Sequence, residues 1–365
     1  MKLLYRGAEV LILDEPTAVL TPNEAIELAS VLRQMANEGK AIIIITHKLN
    51  EVMSFSDRVT ILRAGQVVDS MPTEKTSKEE LARKMVGRKV LFQLEKPDCT
   101  PGLAALELES VGALNNRGLP ALRSVSFKIC SGEILGVAGV AGNGQRELAE
   151  VISGLRSVTN GSILVNGQDV TNCTPLKAIM AGISHIPGDR IGVGLAANLP
   201  VSDNLTMKAY RQPPITQGFF LDHKKLQGFA KNLIRTFSIT PPLPETPARL
   251  LSGGNQQRVV LAREITANQG VIIAVHPSRG LDVGATESIR RILLDQRKCG
   301  TSILLISEDL EEIMQISDRI LVLYDGQIMG RAGITEITLE EIGLMMAGHS
   351  LEEYNREMQL EGYEP

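Results

Sequence analysis

Val10-Leu11-Ile12-Leu13-Asp14-Glu15-Pro16-Thr17 and Val271-Ile272-Ile273-Ala274-Val275-His276-Pro277-Ser278 read as two copies of one element. Each is a short, unbroken apolar run that stops at a proline-marked turn, the pattern of a parallel strand buried on both faces. The match extends without a gap from Val10–Val68 to Val271–Met329, at a constant offset of 261 (Val10 to Val271, Asp57 to Asp318). Pro16 falls on Pro277, Leu20 on Leu281, Gly39 on Gly300, Ile42 on Ile303 and Met53 on Met314. Ser56-Asp57-Arg58 falls on Ser317-Asp318-Arg319. Self-similarity at a fixed spacing means a repeated structural unit.

Each copy reads strand, loop, helix, strand, helix, strand. In the first, a helix is predicted over Asn23–Asn37, ended by Gly39, and a second buried strand over Ile42–Ile45. Strands alternating with helices predict a doubly wound α/β sheet, in which ligands bind beyond the carboxyl ends of the strands. Asp14 and Glu15 stand at one such end, Thr46 and His47 at another. The scaffold repeats but these positions do not: Asp14-Glu15 becomes Val275-His276, and His47 becomes Glu308.

Between the copies, Met71–Cys99 is polar and charged, with a short helix predicted over Ser77–Val86 and a linker over Pro97–Gly102. A longer second unit begins near Leu103, and Leu351–Pro365 is an acidic tail. The predicted division is therefore 1–70, a linker 71–102, a second domain 103–348 and a tail 349–365. Of the 365 residues, 43% are hydrophobic and 22% charged, an ordinary soluble globular composition. A net charge of -4 gives no basic footprint for nucleic acid. Aromatic content of 3% and the lack of tryptophan leave little to stack bases on. The longest apolar runs, such as Ala41–Ile45, are strand-length, not membrane-spanning. Four scattered cysteines, with no CxxC pair, read as reduced packed thiols, and the five histidines show no metal-ligand spacing.

Two further stretches carry chemistry. Ile134-Leu135-Gly136-Val137 is a buried strand leading into Gly139-Val140-Ala141-Gly142-Asn143-Gly144-Gln145-Arg146, with a helix from Glu147. Strand, glycine-rich loop and helix cradle a phosphate, because glycines let backbone N–H groups converge on an anion at the positive end of the helix. A P-loop places Lys and then Ser or Thr after its last glycine; here those places hold Gln145 and Arg146. Taken alone, such a loop reads equally as a tight turn. Leu251-Ser252-Gly253-Gly254-Asn255-Gln256-Gln257-Arg258 precedes a helix that Ser252 is placed to cap. The bland alternative there is a capped helix after a loop, but the full eight-residue run is more specific than a bare Ser-Gly-Gly.

That run resembles the signature motif of ABC-type ATPases. Leu11–Thr17 resembles their Walker B motif and Thr46-His47 their switch histidine. Tyr5-Arg6-Gly7-Ala8, Pro16–Pro22, Met85–Arg88, His185-Ile186-Pro187 and Arg279–Gly284 resemble the tandem ATP-binding subunits of sugar and nucleoside importers, and Ala138–Leu148 leans toward the nucleoside branch. The resemblance spans essentially the whole chain. It implies an ABC-type P-loop fold with a helical subdomain over Val201–Ala262, and ATP sandwiched between two domains. Asp14 then holds Mg2+ through its hydration shell, Glu15 is the catalytic base and His47 faces the γ-phosphate. Ser252, Gly253 and Gly254 donate to the phosphate, Asn255, Gln256 and Gln257 orient that loop, and Asp282 is the D-loop residue.

The second core departs from this pattern at Gln145, Arg146, Val275, His276 and Glu308, at Gly188 in the Q-loop position, and in having no aromatic between Leu106 and Arg123 to stack on adenine. It reads as a weak or silent nucleotide site, with Gly139, Gly142, Asn143, Gly144, Gln145 and Arg146 as the residues nearest a phosphate. By the same offset Met1 aligns with Ala262, so the first domain's P-loop, Q-loop and signature are expected ahead of Met1, and the chain alone is expected to be inactive. The resemblance further implies transmembrane permease subunits, an extracytoplasmic substrate-binding protein and a peripheral place on the cytoplasmic face of the membrane. The alternatives are a soluble tandem ATPase acting on ribosomes, against which the short, mixed-charge Met71–Gly102 argues, and a non-catalytic remnant or interaction module.

Overall fold

The computed structural model of the protein describes residues 8–17, 22–63, 65–88, 94–211, 213, 215–217, 220–267 and 270–350. The family-like residues Tyr5–Gly7, residues 18–21 and the tail 351–365 lie outside the described residues. The chain divides into two compact units, one of residues 1–92 with 280–288, the other of 93–279 with 289–365.

In the first unit, β1 (Val10–Asp14) leads to α1 (Pro22–Asn37) and β2 (Ala41–Ile45). Strands β1 and β2 pair in parallel, Leu11 opposite Ile42 and Leu13 opposite Ile44. Helix α1 covers one face of the pair, where Leu11, Leu32 and Met35 are buried against Leu13, Leu28, Ile42 and Ile44. The sequence predicts burial of both faces. The structure corrects this: Val10, Ile12, Ile43 and Ile45 are 56%, 62%, 51% and 52% exposed. The pair has no further strand beside it among the described residues, so the face opposite α1 meets solvent. Next come α2 (Leu49–Phe55) and the antiparallel hairpin β3 (Arg58–Arg63) and β4 (Gln66–Pro72). Helix α3 (Lys78–Val86) follows, capped by Ser77, whose hydroxyl accepts from the Glu80 N–H at 3.3 Å, and closed by Gly87 at φ 83. Its Leu81 and Ala82 are buried with Leu49 and Ile61, which makes this stretch, read from sequence as part of a linker, a packed piece of the first unit.

The second unit opens with β5 (Ala104–Leu114) and β6 (Pro120–Cys130), then β7 (Ile134–Ala138) and α4 (Gln145–Ile152). After β8 (Asn160–Val165), β9 (Gln168–Asp169), α5 (Pro175–Met180) and β10 (Ile183–Ile186) the chain enters a helical stretch. That stretch holds α6 (Val201–Thr206), the small hairpin β11 (Thr216–Gln217) and β12 (Phe220–Leu221), α7 (His223–Thr236) and α8 (Gly253–Ala267). The repeated part follows as β13 (Val271–Val275), α9 (Val283–Lys298), β14 (Ser302–Ile306), α10 (Leu310–Ile316), β15 (Arg319–Tyr324), β16 (Gln327–Gly333) and α11 (Leu339–Met346).

One sheet runs in the order β10-β13-β14-β7-β15-β16, parallel except for β16. A second, antiparallel sheet runs β6-β5-β8-β9. Between them lies one core that includes Leu106, Phe127, Val137, Leu148, Ile152, Ile273 and Leu304. Here the apolar runs are buried on both faces: Val271, Ile273, Leu304 and Ile306, the equivalents of the four exposed residues in β1 and β2, have no exposed surface. The same sequence pattern is thus satisfied in one copy and half satisfied in the other. Asp14 and Glu15, and Thr46 and His47, stand at the carboxyl ends of the parallel strands β1 and β2.

Candidate functional site

The first unit builds its site at the ends of β1 and β2. Asp14 closes β1, and its exposed carboxylate bonds to no described residue. Glu15 sits at φ 43, a left-handed conformation that costs an ordinary residue about 1–3 kcal/mol. It is held there by its own N–H, which donates to Ile45 O at 2.8 Å. The turn aims the Glu15 carboxylate at the next strand end, where Oε1 meets His47 Nδ1 at 2.7 Å.

Behind this pair lies a clasp absent from the sequence reading. The buried Glu51 carboxylate accepts from the Thr17 hydroxyl on one oxygen and from Thr46 Oγ1 at 3.1 Å on the other. Lys48 Nζ lies 3.3 Å from Glu51 and donates to Thr17 O at 3.0 Å. Two strand ends are tied together through one buried carboxylate, which fixes the separation of Glu15 and His47.

The second unit repeats the clasp. Glu312, fully buried, accepts from Ser278 at 2.6 Å and from Ser307 at 2.8 Å. Each of the three residues sits at the repeat offset from Thr17, Thr46 and Glu51, the signal that sequence alone offered. Burial pushes the Glu312 carboxyl above its ordinary range against the pull of Arg290, whose Nε is 3.8 Å away. His276 takes the Glu15 position at φ 44, with its N–H donating to Ile306 O at 2.7 Å. Burial holds its imidazole below the usual range; Glu308 pulls the other way and Arg279 adds to the lowering. Glutamate and histidine have thus exchanged strands: Glu15 faces His47, whereas His276 feels Glu308. Gly188 is the close neighbour of both Val275 and His276, because a Cβ on it would lie 3.3 Å from His276 Cδ2 and 3.4 Å from Val275 Cγ1.

The glycine-rich loop joins β7 to α4. Gly142 and Gly144 sit at φ 94 and 103, and a Cβ on Gly144 would lie 2.4 Å from Ala121 O. Asn143 anchors the loop: its side-chain oxygen accepts from Asp325 N–H at 3.1 Å and its backbone carbonyl from Gly326 N–H at 3.0 Å. Gln145 is 5% exposed and folds back over Gly139, where an added Cβ would meet its Nε2 at 2.5 Å. Arg146 turns outward to Glu150, 2.7 Å away.

At the start of α8, Ser252 is exposed and Gly253 and Gly254 form the first turn. The expected cap takes a different form: Ser252 Oγ accepts from the side-chain Nδ2 of Asn255 at 2.9 Å, not from a backbone N–H. Asn255 also accepts from Thr240 N–H at 2.8 Å, and Gln256 Nε2 donates to Ala248 O at 3.3 Å. Gln257 is buried with both amide atoms unpartnered among the described residues. Asp282 caps α9 by accepting from Ala285 N–H at 2.8 Å.

A family model described as ABC transporter matches residues 122–277, from within β6, through the glycine-rich loop and the signature run, to just past β13. The nucleoside import ATP-binding protein NupA of Lactococcus lactis is 41% identical over 353 residues, covering 97% of this chain and 70% of that protein. This chain belongs to the ATP-binding proteins of the ABC transporter family. The guanosine import ATP-binding protein NupO of Bacillus subtilis is 43% identical over 353 residues, covering 97% of this ABC protein and 69% of NupO. The glucose import ATP-binding protein TsgD13 of Haloferax volcanii is 45% identical over 350 residues. That match takes in 95% of this chain, which spans 64% of the length of TsgD13. Among solved structures, MJ1267, an ATP-binding cassette of an ABC transporter, superposes with a TM-score of 0.56 at 22% identity, covering 67% of this chain and 96% of MJ1267. A likeness at that identity speaks to the ABC fold. Among the described residues no helix is long and apolar enough to cross a membrane.

The family uses Mg2+ with its nucleotide, and the two units differ in their fit to it. In the first, Asp14 offers free carboxylate oxygens beside Glu15, the hard oxygen donors Mg2+ takes. In the second, Val275 has no donor atom and Arg146 is a cation, so the residues present do not fit the ion.

Proposed function

We propose that this chain acts as an ATP-binding and hydrolysing subunit that energises import of a simple sugar or nucleoside. In this reading it docks on transmembrane permease subunits at the cytoplasmic face, and an extracytoplasmic binding protein delivers the solute. The observation that carries it is the Glu15–His47 pair, 2.7 Å apart at a strand end beside Asp14, together with the signature loop Ser252-Gly253-Gly254. Glu15 would orient and deprotonate the attacking water, and His47 holds that carboxylate in place. Mg2+, when bound near Asp14, would supply charge neutralisation for the phosphates. Ser252 and the N–H groups of Gly253 and Gly254 would receive the γ-phosphate at the positive end of α8. The names of the relatives, which cover nucleoside, guanosine and glucose import, support the solute class.

Chemistry needs a lysine-bearing P-loop, and within residues 1–365 the glycine-rich loop carries Gln145 instead. We infer that these residues alone do not turn over ATP, since phosphoryl transfer depends on all the positioning and charge-stabilising parts acting together. Two measurements test the proposal. The chain is expected to co-purify with membranes and permease; recovery with ribosomes instead would overturn the transport reading. Phosphate release by the purified chain, above background and abolished by Glu15→Gln, would refute the inference of inactivity.

A further inference from the structure

We propose that Cys99 and Cys299, far apart in the chain, form a thiol pair that a small-molecule disulfide closes into an intramolecular disulfide. Both belong to the second unit. The stretch carrying Cys99 has no helix or strand, yet it is pinned on either side of the thiol. Ahead of it, Lys96 Nζ donates to Ser317 O at 2.7 Å and the Arg297 guanidinium donates to Pro97 O at 2.6 Å. Beyond it, Gly102 N–H donates to Ser131 O at 2.9 Å. Arg297 is itself held by Asp318 at 2.8 Å. It lies in the last turn of α9, two residues before Cys299.

The meeting point is Gly132. It sits at φ 73, and a Cβ placed on it would lie 2.9 Å from Cys99 Sγ and 3.8 Å from the Cα of Gly300, the residue after Cys299. The Gly132 N–H donates to Gly300 O at 3.0 Å, and Ser131 Oγ donates to the same oxygen at 2.6 Å. The Cys99 thiol and the chain at Cys299 thus flank one residue that has no side chain. A disulfide needs Cα atoms about 4.4–6.8 Å apart. With Pro97 and Gly102 anchored, only residues 98–101 have to turn for the sulfurs to meet.

The remaining thiols are set apart from this chemistry. Cys299 is exposed and Cys99 half-buried, so a small oxidant reaches them. Burial pushes the Cys130 and Cys173 thiols above their ordinary range, and Glu133 adds to the rise at Cys130. The thiolate is the attacking species, which handicaps both. In the closing reaction the Cys299 thiolate attacks the small disulfide, forms a mixed disulfide and releases one small thiol. Cys99 then attacks the Cys299 sulfur and expels the second. The protein loses two electrons and two protons, and the small disulfide leaves as two thiols. In a reducing compartment such a pair closes only when the small-thiol pool is oxidised, which makes it a sensor and not a permanent staple. Closure fastens the stretch that leads out of residues 1–92 onto the carboxyl end of α9.

The test is incubation of the full chain with oxidised or reduced glutathione, quenched by N-ethylmaleimide and read by intact mass and peptide mapping. Oxidised glutathione is expected to remove two of the four thiols and give a linked peptide pair carrying Cys99 and Cys299, reversed by dithiothreitol. At one glutathione ratio, linked over open chain should be about tenfold higher than in guanidinium chloride, because the unfolded chain must close a long loop that the fold has already closed. Cys99→Ser and Cys299→Ser should each abolish the link, while Cys130→Ser and Cys173→Ser leave it. The guanidinium comparison uses the wild-type chain and so stands whether or not a variant folds. A link from Cys99 to Cys130, a glutathione adduct on Cys299 that never resolves, a cross-link between two chains, or four intact thiols in oxidised glutathione would overturn the pairing. None of these outcomes bears on the transport reading, which recovery with membranes tests.

Discussion

Replacing Glu312 with alanine removes the acceptor at the centre of the second clasp. Glu312 is 1% exposed and its carboxylate receives Ser278 at 2.6 Å and Ser307 at 2.8 Å, while the buried Nε of Arg290 has no hydrogen-bond partner among the described residues. Truncation strands two hydroxyls and removes counter-charge from Arg290. Each buried unsatisfied group costs about 1–3 kcal/mol and a pair broken from one side about 3–5 kcal/mol. Because the contacts share one carboxylate they do not add, and a total of about 4 kcal/mol is expected. At roughly 2–4 °C per kcal/mol for a unit of this size, Tm falls by about 8–16 °C. Glu312→Gln keeps the shape and one acceptor, so at neutral pH its cost is about 1 kcal/mol. The pH dependence has a definite sign. Burial raises the native carboxyl above its ordinary 4.5, so the native state binds that proton more readily than the unfolded chain. Wild-type stability from this group therefore increases as pH falls from the native value toward 4.5, and the gap to Glu312→Gln widens on acidification. Circular-dichroism melts of the full chain would measure it, with hydrogen exchange over β13 and β14 assigning the transition. Equal losses for Ala and Gln at neutral pH, or a gap that narrows on acidification, would refute the reasoning.

Exposure of Val10, Ile12, Ile43 and Ile45 leads us to expect binding of a hydrophobic dye and first proteolytic cuts within residues 8–70, while 103–348 resists; uniform protection would count against this. His185 and His276 are both held by burial below their ordinary 6.5, so the unfolded chain takes up protons first. The second unit should lose stability as pH falls through 6.5, by up to about 1.4 kcal/mol per pH unit for each histidine. His276→Gln should shallow that slope in urea titrations, and an unchanged slope would remove His276 from the account. Gly144→Ala places a Cβ at φ 103 and 2.4 Å from Ala121 O, a cost of about 3 kcal/mol or more. A Tm within error of wild type would contradict that loop geometry.

The fixed offset made the repeated scaffold legible, because strand periodicity and strand-end turns are local and survive in both copies. The burial of β1 and β2 was not legible. An apolar run reports what a strand can bury, whereas its neighbours decide what it does bury, and the same pattern is covered in β13 and open in β1. A short helix is predicted over Ser77–Val86, but the packing of its Leu81 on Ile61 needs the tertiary hairpin. Asp14, Glu15 and His47 stand out in the sequence because strand ends concentrate chemistry, and Glu15 and His47 lie 2.7 Å apart. Glu51 and Glu312 escaped because each sits on a helix, where an acidic residue reads as a solvated face; only the shared offset with Thr17 and Thr46 could have flagged them. Asn255 was expected to orient the signature loop, and it bonds both Ser252 and Thr240, but the use of a side-chain amide in place of a backbone cap is not written in the motif.

Glu15 and His276 occupy the same left-handed backbone position, at φ 43 and φ 44, and each closes the same bond to the neighbouring strand. The fold therefore bears that strain whichever side chain is present. A carboxylate at this position carries no conformational surcharge over an imidazole, so the backbone strain does not resist exchange of one for the other. Duplicated cores built on such a position can part ways by single substitutions, one copy keeping its chemistry under selection and the other keeping its shape without it.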